Sequence, residues 1–188
     1  MASITGYIEE ELKLKVNRTK SKVSTANKST LLGFSFYKSK EEWRIRLDAR
    51  VVAKMKMKMK LHLSRKIAQQ VEKRMIEFKP VIQGWLEYFK IADIKSTCKV
   101  LDQLLRSRVR KLLWQKWQKI KTRMRNLVKL GVPKDKAYQW ANSSKGACRI
   151  AHSPILNTSL STTVLHKMLL PSFYLLYLHK VDSGNGFF

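Results

Sequence analysis

From Val51 to Leu127, apolar side chains recur at every third or fourth position, and most charges between them are positive. Only an α-helix gathers such positions into one stripe, so this stretch is confined to amphipathic helices packed on one another. Ile67, Val71, Met75, Phe78, Ile82, Trp85 and Phe89 form one such stripe. Pro80 lies inside it and predicts a kink or break near Lys79. Cys98, Leu101, Leu105, Val109 and Leu112 open the next, and Leu113, Trp117, Ile120, Met124 and Leu127 continue it as one long helix. Asp93 or Ser96 is placed to cap its start, and Gly131 to stop it.

The segment "KMKMKMKLHL" (54–63) also fits a strand, since its apolar residues alternate. Propensity decides for a helix. Met, Lys and Leu are good helix formers, no β-branched residue lies between Val52 and Ile67, and Asp48 stands at the N-cap position. A helix over residues 49–63 puts Val51, Val52, Met55, Met59 and Leu63 in one stripe. Lys54 and Lys58 flank it on one side, Lys56 and Lys60 on the other, and Met57 and Leu61 lie at the back. Three helices with short links make an antiparallel bundle.

Upstream, residues 3–15 read as a short helix with Ile4, Ile8 and Leu12 on one side. "LLGFSFY" (31–37) and "EEWRIRLD" (41–48) alternate and are joined by a polar link, which predicts a β-hairpin. Past Gly131 lie shorter helices. Pro133 and Pro154 suit first-turn positions, and Ser153 suits an N-cap. The last eight residues read as a loose tail.

The formal charge is +26, and residues 54–125 carry 21 Lys/Arg against five Asp/Glu. No acid occurs between Asp102 and Asp135. A field this one-sided attracts a polyanion, and nucleic acid is the commoner partner. Cys98 and Cys148 form neither a disulfide framework nor a zinc pattern, and read as buried free thiols. His62, His152, His166 and His179 lack metal spacing. The N-terminus has no signal-peptide pattern, and "MLLPSFYLLYL" (168–178) is too short to span a bilayer. A soluble, cytoplasmic protein without a membrane partner is expected. No glycine-rich phosphate loop and no paired aspartates at a strand end stand out, so no catalytic residue, metal ligand or cofactor site is assigned.

The candidate site residues are those that can neutralise phosphates or stack on bases. On the first helix these are Lys54, Lys56, Lys58 and Lys60. On the long helix they are Arg106, Arg108, Arg110, Lys111 and Lys116, followed by Lys119, Lys121, Arg123 and Arg125. Trp85, Phe89 and Trp117 read as core. Trp114, close to the basic cluster, reads either as core or as a stacking surface.

"LKLKVNRTKSKV" (12–23) followed by "LLGFSF" (31–36) resembles the last palm motifs of group II intron reverse transcriptases, the second being similar to the primer-grip hairpin. "QGWLEYFKIAD" (83–93) resembles their thumb signature. "LRSRVRKLLWQKWQKIKTRMRNLVKLGV" (105–132) resembles the thumb-to-maturase segment, and "ANSSKGACRIAHSPILNTSLS" (141–161) the maturase-specific domain X. Ala147-Cys148 replaces the family's usual aromatic pair, and Met168-Leu169 stands where a glycine is usual. Lys20 matches the palm motif's lysine.

The resemblance implies intron RNA as partner, with Lys145 and Arg149 of the domain X segment added to the RNA-binding set. It implies a mainly α fold: a small N-terminal helix and β-hairpin as the palm remnant (1–47), a three-helix thumb bundle (48–127), a small helical domain X (128–180) and a loose tail (181–188). The family's catalytic Tyr-x-Asp-Asp segment lies upstream of these motifs. The chain therefore reads as a maturase-like, RNA-binding piece that assists splicing without polymerase activity of its own. Magnesium is expected only for the complete reverse transcriptase. Two other readings stand beside it: the C-terminal half of a split RNA-directed DNA polymerase, with an upstream reverse transcriptase fragment as partner, and a decayed remnant without function.

Overall fold

The computed structural model describes residues 2–184, except Lys20 and Lys22. Lys20 and the last four residues of the expected tail thus lie outside the described residues. The fold is mainly helical. Helix α1 (Ala2–Glu10) leads to a sheet of β1 (Thr30–Leu31), β2 (Phe34–Ser39) and β3 (Glu42–Leu47). Then follow α2 (Ala49–His62), α3 (Val71–Phe89), α4 (Lys95–Lys116), α5 (Ile120–Lys129) and α6 (Lys134–Ala141). Short helices α7 (Ala147–Ala151), α8 (Pro154–Ser159) and α9 (Thr162–Lys167) precede α10 (Phe173–Gly184).

The predicted hairpin is β2–β3, paired antiparallel from Phe34↔Leu47 to Ser39↔Glu42. Its two-residue turn, Lys40-Glu41, holds both residues at positive φ, as the twist of the flanking strands requires. Two-residue β1 adds an antiparallel partner to β2 through Leu32-Gly33. Gly33 is required there: φ is +89°, and a Cβ would lie 2.7 Å from a Val51 methyl. The sheet rests on the end of α3, where Phe34 stacks on Tyr88 and meets the edge of Phe89. Asp93 does not cap α4. Its carboxylate accepts from Tyr37 Oη at 2.6 Å, its N–H donates to Ile45 O, and Ile94 is the uncapped N-cap residue.

Helix α2 begins as expected. Asp48 accepts from Arg50 N at 2.7 Å, Met55 and Met59 are buried, and the four lysines are exposed. Four other expectations need correction. Ile67 precedes α3 in an exposed loop, and Leu86 rather than Trp85 holds the fully buried position beside Phe89. Trp85 is half-buried, edge-on to Phe173 of α10. Helix α3 runs unbroken through Pro80, because the buried Phe78 and Ile82 anchor the turns on either side. The long basic helix is two helices: Trp117 leaves helical geometry at φ −83°, ψ 66°, and α5 starts at Ile120, which is exposed. Finally, α10 continues to Gly184, well into the expected tail.

Gly131 ends α5 as predicted, at φ +86°. Val132 N donates to Leu127 O and Gly131 N to Val128 O, the paired bonds of a Schellman stop. Pro133 precedes α6 rather than opening its first turn, and Pro154 opens α8. Ser153 stands at that helix's N-cap but donates to Ile150 O instead of capping. Leu169, at one of the two positions where the resemblance expects glycine, sits at φ +63°.

One apolar cluster runs from Met55 in α2 to Phe173 in α10. Asp102 joins the chain's end to α4. Its buried carboxylate accepts from Ser172 Oγ, Phe173 N and Tyr174 N at 2.6, 2.7 and 3.1 Å, and so caps α10 from a distant helix.

Candidate nucleic-acid interface

The end of α2, the C-terminal half of α4 and the start of α7 enclose a basic furrow. Its first part, about 300 Å³, is lined by Lys60, Arg65, Arg108 and Lys111 over the apolar Leu61, Leu63 and Leu112. Its second part, about 580 Å³, runs from Lys111 and Gln115 to Lys145, Gly146 and Arg149. Lys111 and Gln115 line both parts, so the two adjoin along α4. Arg108, Lys111 and Gln115 step by three and four, which puts them on one helix face. Six cations line the furrow and no carboxylate does.

Arg108 differs from its neighbours. Its Nε is buried without a hydrogen-bond partner, and burial pushes its pKa below the ordinary arginine value. An arginine keeps its proton even so, which leaves a partly desolvated positive charge at the furrow.

The furrow gathers five of the predicted site residues: Lys60, Arg108, Lys111, Lys145 and Arg149. Lys54, Lys56 and Lys58 are exposed along α2, and Lys56 lies one turn from Lys60. Lys116 is exposed, but its Nζ donates to Gln69 O at 3.0 Å. Lys119, Lys121 and Arg125 are exposed around a separate hollow floored by Met124 and Val128. Arg106 is half-buried.

Three predicted contacts face inward instead. Arg110 is buried, and donates through Nε to Leu160 O at 3.0 Å and through Nη1 to Asn157 Oδ1 at 2.6 Å. Burial, then the charge of Arg106, lowers its pKa. Trp114 is only 2% exposed, which settles it as core rather than as a stacking surface. The guanidinium of Arg123 lies 4.5 Å over its ring, and Arg123 also donates to the carbonyls of Trp117 and Ala141. That set of contacts accompanies the break between α4 and α5.

Arg65 is the cation that sequence reasoning missed, because it lies in a loop with no periodic signal. Cys148 is exposed and lines the furrow, contrary to the expected buried thiol, whereas Cys98 is buried as expected. Burial pushes the Cys98 thiol up to about 12, with Asp102 adding to the effect. Among the described residues no helix is long and apolar enough to cross a membrane, and no three His, Cys, Asp or Glu side chains gather.

Residues 52–131 match the family model described as group II intron, maturase-specific domain. Over that span the chain is similar to the group II intron maturase-specific domain. The matched span runs from the first turn of α2 to the Schellman glycine that ends α5. It covers most of the segment assigned from sequence to the thumb, and overlaps the assigned domain X only at residues 128–131. Lys60, Arg65, Arg108 and Lys111 lie within the matched span, while Lys145 and Arg149 come from beyond it. No curated protein matches the chain.

Proposed function

We propose that the chain binds group II intron RNA along the basic furrow and assists its splicing, and that it performs no nucleotide transfer itself. The furrow carries this reading. Six cations from four parts of the chain line one surface without a carboxylate, within and beside the matched span. Phosphates are the groups such a lining neutralises, and counterion release makes the binding depend on salt. Nucleotide transfer needs metal-bound carboxylates, and the sequence offers no aspartate pair suited to that role. A gel-shift titration tests the reading. With about six to eight phosphates neutralised, affinity should fall by roughly two to four decades between 50 and 200 mM salt. Tight binding that ignores salt would refute it, and primer extension on an RNA template should yield no product.

A second reading has one supporting observation. Leu31, Leu32, Trp43 and Ile91 are exposed in and near the sheet. Exposed apolar groups in one region favour a protein partner, as the split-polymerase reading requires. Co-purification with a separately supplied palm fragment would separate this reading from the first.

A further inference from the structure

We propose that Arg108 is the phosphate anchor of the furrow, and that a phosphodiester held there relieves a charge the fold leaves unpaired. The proposal rests on the furrow being an RNA surface and names the side chain on which binding turns.

Two arginines of α3 and α4 are buried and bonded to protein acceptors, and Arg108 is half-buried with its Nε enclosed. Arg74 is fully buried away from the furrow; its Nη2 donates to the carbonyls of His62 and Ser64 where α2 ends, while its Nε and Nη1 have no partner. Arg110 binds Leu160 O and Asn157 Oδ1. Arg108 forms no hydrogen bond or ion pair among the described residues, and it alone of the three lines the furrow. Its charged neighbours around the hollow, Lys60, Arg65 and Lys111, are all positive.

A partly desolvated cation beside other cations is stabilised by an anion. A phosphodiester offers two non-bridging oxygens, which match the side-on pair of Nε–H and Nη–H donors of a guanidinium. The remaining lining, apolar Leu61, Leu63 and Leu112 with neutral Ser64 and Gln115, puts no carboxylate in competition. A ligand that binds only the folded chain raises its stability, so an anion seated on Arg108 should stabilise the protein as well as bind it.

The test is thermal melting of the full chain in sodium pyrophosphate against sodium chloride of equal ionic strength, with filter binding of an unstructured RNA in parallel. The parent should melt several degrees higher in pyrophosphate. Arg108→Gln should lose that increment, bind RNA about tenfold more weakly and lower the salt slope by about one. Arg125→Gln, on exposed α5 outside the furrow, should keep the increment. Equal increments in the two variants would overturn the proposal, because the effect would then be general screening. Unchanged RNA affinity in Arg108→Gln would overturn it while leaving the RNA reading intact. An Arg108-dependent increment in a protein that binds no RNA would support the anchor and refute the RNA reading. Arg108→Lys covers the case in which the glutamine variant fails to fold. It keeps the charge but not the planar fork, and a full increment there would overturn the bidentate anchor.

Discussion

Arg110 and Lys111 are consecutive residues of like charge, yet their replacement should have opposite consequences. Lys111 lines both parts of the furrow. Arg110 points away from it and clasps α8 through Leu160 O and Asn157 Oδ1. Arg110→Met keeps much of the aliphatic volume and removes both bonds. Each bond from a charged donor contributes about 1.5–3 kcal/mol. Part of the loss is offset, since methionine carries no charge into the interior. A net cost of about 2–4 kcal/mol follows. At about 2–4 °C per kcal/mol for a chain of this size, the melting temperature should fall by roughly 5–15 °C. Lys111→Gln should stay within about 0.5 kcal/mol of the parent. It should instead weaken RNA binding across sequences and lower the salt slope by about one. The assay is paired melting and filter binding on both variants, at temperatures where both are folded. If Arg110→Met melts like the parent and loses RNA affinity, the inward assignment of Arg110 is wrong.

Asp102→Ala leaves Ser172 Oγ and two N–H groups at the start of α10 without their acceptor, so it should cost about 2–4 kcal/mol and expose α10 to proteolysis; unchanged melting would refute the remote cap. Hydrogen bonds from Lys180, then Lys90, hold the Glu87 carboxyl at about 2, below its ordinary value of 4.5. This contribution is therefore present above pH 4.5 and lost as pH falls toward 2, so the melting difference between the parent and Glu87→Gln should close across that window; a difference independent of pH would count against the Lys180 tie between α3 and α10. A maleimide should label exposed Cys148 rapidly and leave Cys98 unmodified in the folded chain, and bound RNA should slow the Cys148 reaction; labelling that RNA does not affect would place the RNA elsewhere. Leu169→Gly should stabilise by about 0.5–1 kcal/mol, because the left-handed backbone there costs a leucine more than a glycine and the side chain is largely exposed; a destabilised variant would show that the Leu169 side chain matters more than its backbone.

Local chemistry determined much of this protein from sequence alone. The Asp48 cap, the Met55–Met59 face of α2, the β2–β3 hairpin and the Gly131 stop each depend on side chains and backbone preferences within a few residues. The excess of cations over acids likewise pointed to a polyanion, the class of partner proposed above. Contacts between distant segments decided the rest. Helical spacing placed Arg106, Arg110 and Trp114 near one face, but whether a long side chain meets solvent or a carbonyl depends on what packs above it. Leu160 and Asn157, some fifty residues on in sequence, turn Arg110 into a clasp, and Arg123 covers Trp114 from beyond the break at Trp117. Pro80 weakens a helix locally, and burial on both sides of it keeps the helix whole. The furrow is a tertiary feature, because Lys60, Arg65, Arg108 and Arg149 come from segments that no periodicity connects. Period and charge define which face of each helix can be wet, and only the packing of α2, α4 and α7 leaves part of that face open as a furrow.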